Sequence, residues 1–444
     1  MKKPPLTPSK LRAEISDLVE NYANLVLKEP KFIPGVSTVP PSGKLIGSKE
    51  LKLMVEASLD GWLTSGRFNE KFESELANFL GINHLITVNS GSSANLIAFN
   101  TLTSHKLGTR AILPGDEVIG VAAGFPTTVN PILQFGAVPV FIDVEIPTYN
   151  IDPSKIEEAI TPKTKAVMLA HTLGNPFNLD VVKGICEKYN LWLIEDCCDA
   201  LGSMYKSQLV GTFGDIGTLS FYPAHHITMG EGGAVFMKSA KLRKIAESLR
   251  DWGRDCYCPP GVDNTCNNRF CWSAKQIGGS LPDGYDHKYT YSHLGYNLKI
   301  TDMQAACGCA QIEKLDSFIK IRKENFQFLY NLLEDLEDEL ILPKATQFSE
   351  PSWFGFPISV REHSKINRDS ILKSLNDKKI GTRLLFAGNL TRQPYMEKLN
   401  FKTSGNLVNT DFIMNNTFWI GLQPSLNKEM LSYSVETIKE IIQK

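Results

Sequence analysis

Between about Gly47 and about Lys314, short apolar runs alternate with helical patterns, and this alternation constrains the fold more than any other feature. The runs are HLITVN (84–89), EVIGVAA (117–123), VPVFIDV (138–144), AVMLAH (166–171), LWLIED (191–196), TLSFY (218–222) and GAVFM (233–237). Continuous apolar runs suit strands buried on both faces of a mostly parallel sheet. Helices between them would cover the faces, which predicts an α/β layered domain over 47–314. Before it, residues 1–46 read as one helical stretch, LRAEISDLVENYANLVLKE, and a Pro/Gly-rich link, PGVSTVPPSGK. After it, the long charged helix LDSFIKIRKENFQFLYNLLEDLEDEL opens a different region. There FGFPISV (354–360), a helix at 366–378 and a closing helix near 428–443 predict a smaller α+β domain over 315–444. Residues 251–290 hold four cysteines among many Gly, Asn, Asp and Pro, and read as an irregular insert.

The chain has 444 residues, 42% hydrophobic and 21% charged, with a formal net charge of −1. That balance fits an ordinary globular protein and gives no case for nucleic-acid or membrane partners. No apolar run approaches bilayer-spanning length. The start, MKKPPLTPSK, lacks the apolar stretch of a signal peptide, so a cytoplasmic location is expected. In a reducing compartment the nine cysteines point to metal binding or plain burial rather than disulfides. For scattered ones such as Cys186, Cys307 and Cys309, burial is the expectation.

Three segments could hold a phosphate and a ring. NSGSSAN (89–95) follows a strand and opens a helical stretch. Gly91 admits close backbone approach, Ser92 and Ser93 add hydroxyls, and free N–H groups at a helix start attract anions. A plain helix N-cap is the alternative. LWLIEDCCD (191–199) brings Asp196 to the end of a buried strand, where carboxylates face ligand crevices. A buried carboxylate needs a partner, and a protonated pyridine nitrogen would serve. SFYPAHHITMGEGGAV (220–235) runs from a strand into a loop with two histidines and a glycine turn.

In this order and at these distances, the three segments resemble the sugar aminotransferase family named after DegT, DnrJ, EryC1 and StrS. So do GFPTTVNPILQFGAVPVFIDV (124–144) and LGYNLKITDMQAACGCAQIEKLD (294–316), and the resemblance spans roughly 45–440. It implies the aspartate-aminotransferase fold (PLP fold type I): a large α/β domain with a smaller α+β C-terminal domain. Carried over residue by residue, it implies that Gly91, Ser92 and Ser220 bind the cofactor phosphate and that Phe125 stacks on the ring. Asp196 would pair with the pyridine nitrogen. Asn297 would reach the phosphate of the neighbouring subunit's cofactor, which implies a homodimer with shared sites.

The chain departs from the family at one decisive place. Where aminotransferases carry the lysine that holds pyridoxal phosphate covalently, this sequence has His225, five residues after Ser220. Neither Lys206 nor Lys238 falls at that position. The resemblance thus narrows to the dehydrase branch, with pyridoxamine 5′-phosphate as the cofactor, bound by contacts alone. A histidine, with an unperturbed pKa near neutrality, suits abstraction of a proton from the cofactor's C4′ methylene. His226 is the alternative base; position favours His225. Asp199 and Tyr222 also differ from the common aminotransferase pattern, and both would line the cofactor near its phenolic oxygen.

Cys256, Cys258, Cys266 and Cys271 fall within sixteen residues, and Cys197 and Cys198 follow Asp196. Clustered thiolates favour a soft metal, and on physical grounds a zinc site competes evenly with an iron–sulfur cluster. The spacing of Cys198, Cys256, Cys258 and Cys266 resembles the [2Fe–2S] ligand set of the iron–sulfur members of the dehydrase branch, and redox chemistry tips the balance. Dehydration leaves an adduct that needs two more electrons, which zinc cannot carry. Cys197 and Cys271 are the runner-up ligands. The resemblance implies removal of the C3 hydroxyl of CDP-4-keto-6-deoxyglucose in 3,6-dideoxysugar (O-antigen) biosynthesis. It also implies an NADH-dependent flavin and iron–sulfur reductase as electron-donating partner, because no G-x-G-x-x-G follows any marked strand. A pyridoxal-phosphate sugar aminotransferase and a cluster-free dehydrase are the competing readings. Arg67, Arg383 and residues 386–395 are candidate contacts to the sugar nucleotide.

Overall fold

The computed structural model describes residues 7–28, 31–256, 258, 261–265, 267, 269–270 and 279–443. All seven apolar runs form strands of one sheet. They are β1 (His84–Val88), β2 (Glu117–Val121), β3 (Val138–Ile142), β4 (Thr164–Ala170), β5 (Trp192–Asp196), β8 (Ile216–Ser220) and β9 (Gly233–Met237); a short hairpin, β6 (Met204–Tyr205) and β7 (Gln208–Leu209), lies outside it. Their order is β1-β9-β8-β5-β4-β2-β3. Only β9 runs against its neighbours, β1 and β8. The carboxyl ends of β1, β5 and β8 therefore share one edge of the sheet, which is where ligands sit in open α/β sheets.

Alternate residues of each strand feed two separate cores. Ile119, Val167, Leu169 and Leu193 join one cluster, with Phe72 and Leu76 from the covering helix. Their neighbours Val118, Ala166, Met168 and Ile194 join the other, with Ile97 and Phe99. Strands lined on both faces explain why the runs carry no polar alternation. Each fully buried Leu, Ile or Phe contributes roughly 1.5–3 kcal/mol.

Towards the C-terminus, Leu340–Ile341, Gly355–Val360, Thr417–Gly421 and Arg383–Leu384 form a four-stranded antiparallel sheet in that order. It shares a core with helices Leu315–Leu333, Arg368–Asp377 and Lys428–Ile442, through Leu329, Ile371 and Val435 among others. Two features of this region differ from the sequence reading. Lys402–Thr403 adds an eighth strand to the large sheet, parallel to β3. The stretch read as a link is a structural part of the smaller core: Val39 is buried there, as is Phe32 just before the link, and Val39 exchanges backbone bonds with Lys379 and Gly381. Among the described residues of 251–290, only His287–Tyr289 forms a regular turn of helix, as expected for an irregular insert.

At the N-terminus, α1 (Pro8–Val26) packs on α2 (Ser48–Leu59), where Arg12 pairs with Glu56 and Asp60. The next helix, α3 (Arg67–Leu80), starts at Gly66, which has no side chain to cap it. Asp302 supplies the cap from a distant helix: its carboxylate accepts from the N–H groups of Gly66, Phe68 and Asn69 at 2.9, 3.2 and 2.8 Å. Asp302→Ala leaves two buried donors and one part-buried donor without an acceptor and should cost about 2–3 kcal/mol. Urea unfolding should show a lower midpoint at unchanged m-value; an unshifted midpoint contradicts this role.

Candidate active site

A cavity of about 890 Å³ opens at the shared edge of the sheet. Its wall includes Gly91 and Ser92, which begin α4 (Gly91–Leu102) directly after β1. Ser90 caps this helix by accepting from the Ser93 N–H at 3.0 Å. The first N–H groups of a helix have no partner within it and carry partial positive charge, so this corner suits a phosphate. Close packing makes glycine necessary here. A Cβ on Gly91 would lie 2.4 Å from the Ser220 Cβ at the end of β8, and one on Gly233 would lie 2.4 Å from the Ser90 carbonyl oxygen.

Asp196 stands in the same wall at the end of β5. Its Oδ2 accepts from Asn95 Nδ2 at 2.7 Å and Thr128 Oγ1 at 2.8 Å, and its Oδ1 accepts from the Cys198 N–H at 3.1 Å. Asn95 in turn accepts from Thr218 on β8 at 2.7 Å. The carboxylate is thus held by three direct partners, and Thr218 holds one of them. A buried carboxylate lining a cavity can hold a cationic ring nitrogen.

His225 and Asp199 line the cavity together. His225 Nδ1 lies 3.4 Å from Asp199 Oδ1, longer than a full-strength N–H···O bond, so the carboxylate orients the ring loosely. Burial pushes the Asp199 carboxyl above its ordinary range, while His225 and Arg322 pull it back. Next in the chain, His226 is buried, and its Nε2 bonds the Ser352 carbonyl at 2.8 Å. Burial holds its pKa well below the ordinary value. His226 is therefore a neutral structural histidine that does not line the cavity.

The structure gathers most of the remaining sequence candidates. Phe125, Tyr222, Ser220 and Cys198 line the cavity, as do Arg383, Gln393 and Tyr395. Arg67 does not; it pairs with Asp60 and Glu56 on the surface. That corrects its candidacy, since its charge is already compensated. Asn297 also lies off the cavity wall of its own chain, bridged to Asp251 and accepting from Lys299. Cys186, Cys197, Cys307 and Cys309 are buried. Cys266 and Cys271 lie outside the described residues. Cys256 and Cys258 sit together with His287, which the sequence reading did not single out; a lone histidine in DGYDHKY carries no signal beyond its place in the insert. Cys198 is not in that group, and burial pushes its thiol well above the ordinary range.

Asn95, Thr128, Phe354 and Arg322 were also missed. Asn95 had a signal, since it stands four residues after Gly91 and so on the same face of α4. The others come from distant chain segments and had none.

A model of the DegT/DnrJ/EryC1/StrS aminotransferase family matches residues 44–439. The chain belongs to this family. It is 64% identical to the lipopolysaccharide biosynthesis protein RfbH of Salmonella typhimurium, over 98% of this chain and 99% of that protein. It is 49% identical to the dTDP-4-dehydro-2,6-dideoxy-D-glucose 3-dehydratase of Saccharopolyspora spinosa, over 94% of this chain and 89% of that one. A solved Escherichia coli GDP-4-keto-6-deoxy-D-mannose-3-dehydratase with bound hydrated PLP superposes with a TM-score of 0.80 at 27% identity, over 90% of this chain and 99% of that one. The chain is a nucleotide-sugar 3-dehydratase with the fold of the pyridoxal-phosphate aminotransferases. Among the described residues, no helix is long and apolar enough to cross a membrane.

The tight Gly91–Ser220 approach makes a direct test. Gly91→Ala should introduce a clash costing about 1–3 kcal/mol and should release pyridoxamine phosphate on gel filtration. Gly184→Ala, where a Cβ would meet nothing within 4 Å, serves as control. Full cofactor retention by Gly91→Ala argues against a phosphate corner there.

Proposed function

We propose that this enzyme removes the C3 hydroxyl of CDP-4-keto-6-deoxyglucose, using pyridoxamine phosphate and a [2Fe–2S] cluster, on a route to 3,6-dideoxysugars of lipopolysaccharide. The observation that carries the reading is His225 in the cavity, at the position where the family's aminotransferases hold their cofactor by a lysine. Pyridoxamine phosphate, when bound, supplies an amine for the sugar's 4-keto group and a ring that takes up an electron pair. Gly91, Ser92 and Ser220 bind its phosphate, Phe125 stacks on the ring, and Asp196 keeps the ring nitrogen protonated. Asp199 and Tyr222 line the side of the phenolic oxygen.

His225 moves the proton. Asp199 faces Nδ1, which favours the tautomer with the hydrogen there and leaves the lone pair on Nε2. Nε2 would take the proton from the cofactor's C4′ carbon, and the departing C3 hydroxyl would take up one proton and leave as water. His226 is a poor candidate because its ring is buried and bonded to Ser352. His225→Asn should lower the rate by on the order of 10²–10⁴-fold with cofactor binding retained. His225→Lys should let pyridoxal phosphate become fixed to the protein on borohydride treatment, as it is not in the parent. Wild-type turnover by His225→Asn contradicts the assignment.

Elimination of water moves no net electrons, so replacing C–OH by C–H consumes two electrons and two protons per turnover. Cys198, Cys256, Cys258 and Cys266 would hold a [2Fe–2S] cluster, which would provide one-electron chemistry, with an NADH-dependent flavin and iron–sulfur reductase as the electron source. Support comes from the convergence of Cys256 and Cys258 and from Cys198 in the cavity wall, two residues from Asp196. A homodimer would let Asn297, off its own chain's cavity, serve the neighbouring one. In labelled water, enzyme with cofactor and substrate should exchange oxygen at C3 without net deoxygenation; adding reductase and NADH should release product. Cys256→Ser or Cys258→Ser should lose iron, whereas Cys186→Ser should not. Product formed over many turnovers without reductant favours the cluster-free dehydrase. Reconstituted protein that takes zinc but no iron rules out the redox role.

A further inference from the structure

The described part of the insert is held against the body of the protein by an ordered scaffold. Asp255 N–H donates to the Thr290 carbonyl at 2.9 Å and Ser292 N–H to the Gly253 carbonyl at 2.9 Å, so 253–255 lies antiparallel to 290–292. Lys106 pairs with the buried Asp255 carboxylate at 2.7 Å. On the opposite side, Asp286 caps the turn His287–Tyr289, and Arg269 grips Asp286 at 2.8 and 2.9 Å. His287 N–H donates to the Arg269 carbonyl at 3.1 Å.

This scaffold delivers three side chains to one point. The Sγ atoms of Cys256 and Cys258 and a ring nitrogen of His287 all lie within 4.8 Å of one another. His287 is buried, whereas both cysteines are partly open. A second buried group of the same kind, His171, Glu195 and Cys197, has another explanation: the Glu195 carboxylate accepts from the N–H groups of Gly211, Phe213 and Gly214 and faces His171 at 3.1 Å, which uses up its lone pairs. The group at His287 instead joins an imidazole to two thiols and contains no carboxylate.

We propose that His287 is a positioning residue for the cysteine-held cluster, donating a ring N–H to a sulfur of the Cys256–Cys258 pair and raising the cluster's reduction potential. The inference rests on the cluster reading above. Four thiolates already fill the ligand set of a [2Fe–2S] centre, so the imidazole belongs in the surrounding shell. A hydrogen bond to sulfur withdraws electron density and stabilises the more negative, reduced state. The donor must accept an electron from the partner and pass it to the cavity, so its potential has to be set from the protein side.

The test uses the full-length protein, reconstituted anaerobically with iron and sulfide. His287→Phe should keep its iron, sulfide and visible bands but show a lower midpoint potential than the parent; His287→Gln, which retains an N–H donor, should fall between. In parent protein labelled with ¹⁵N-histidine, pulsed EPR of the reduced cluster should show a weakly coupled nitrogen, a readout independent of whether the variants fold. An unmoved potential in His287→Phe overturns the proposal, as does a nitrogen coupling of ligand strength. Parent protein that takes up no iron defeats the cluster reading itself, and the role of His287 falls with it.

Discussion

The site is organised around one buried carboxylate. Asp196 ends β5, yet its oxygens are claimed by Asn95 on α4, Thr128 after β2 and the backbone after β5. Asn95 extends the network to Thr218 on β8. An unpaired buried charge costs several kcal/mol, so these elements must settle where the carboxylate is satisfied. That requirement fixes α4 relative to the sheet. It thereby fixes the corner where the helix begins, the glycine at 91 and its contact with Ser220. The start of α4 and the Asp196 carboxylate are thus two ends of one hydrogen-bonded unit.

The seven large strands were legible because burial on both faces leaves an unbroken apolar run. The helix from Leu315, the strand near 355–360 and the closing helix were legible for a similar reason, each carrying a long periodic segment. The edge strand Lys402–Thr403 was not, because two exposed residues pairing at a sheet edge bury too little to leave a signature. Val39 was hidden by its Pro/Gly-rich surroundings, which read as a link although the residue pairs with Ile380. Of the site, what the sequence carried was the part made by contiguous motifs: Gly91 and Ser92, Asp196 to Asp199, Ser220 to His225. Residues that arrive from elsewhere, such as Thr128, Phe354 and His287, contribute single side chains whose meaning exists only in three dimensions.

The two adjacent histidines show how position in a loop, rather than residue type, assigns a role. The backbone turn after Tyr222, closed by the His225 N–H to the Tyr222 carbonyl at 2.9 Å, sends His225 towards the cavity and His226 into the protein. His226 meets a carbonyl and is buried, so protonation there would place a charge in the interior. His225 meets a carboxylate and the open cavity.

Beneath Asp199 lies the charge that makes this arrangement affordable. Arg322 is fully buried, and its Nη1 donates to the carbonyls of Trp353 and Phe354 at 3.2 and 3.1 Å. Burial lowers its pKa to about 10, which still leaves the guanidinium protonated at neutral pH, and Asp199 is the acid whose field opposes that shift. The carboxyl of Asp199, driven up by burial, is drawn down by the same cation. Each charge makes the other tolerable. An apolar side chain at 322 would leave Asp199 freer to take a proton, and Asp199 is the carboxyl that faces His225 Nδ1. The chain of influence runs from a residue the reaction never touches, through a carboxylate at the cavity wall, to the nitrogen that would take the proton.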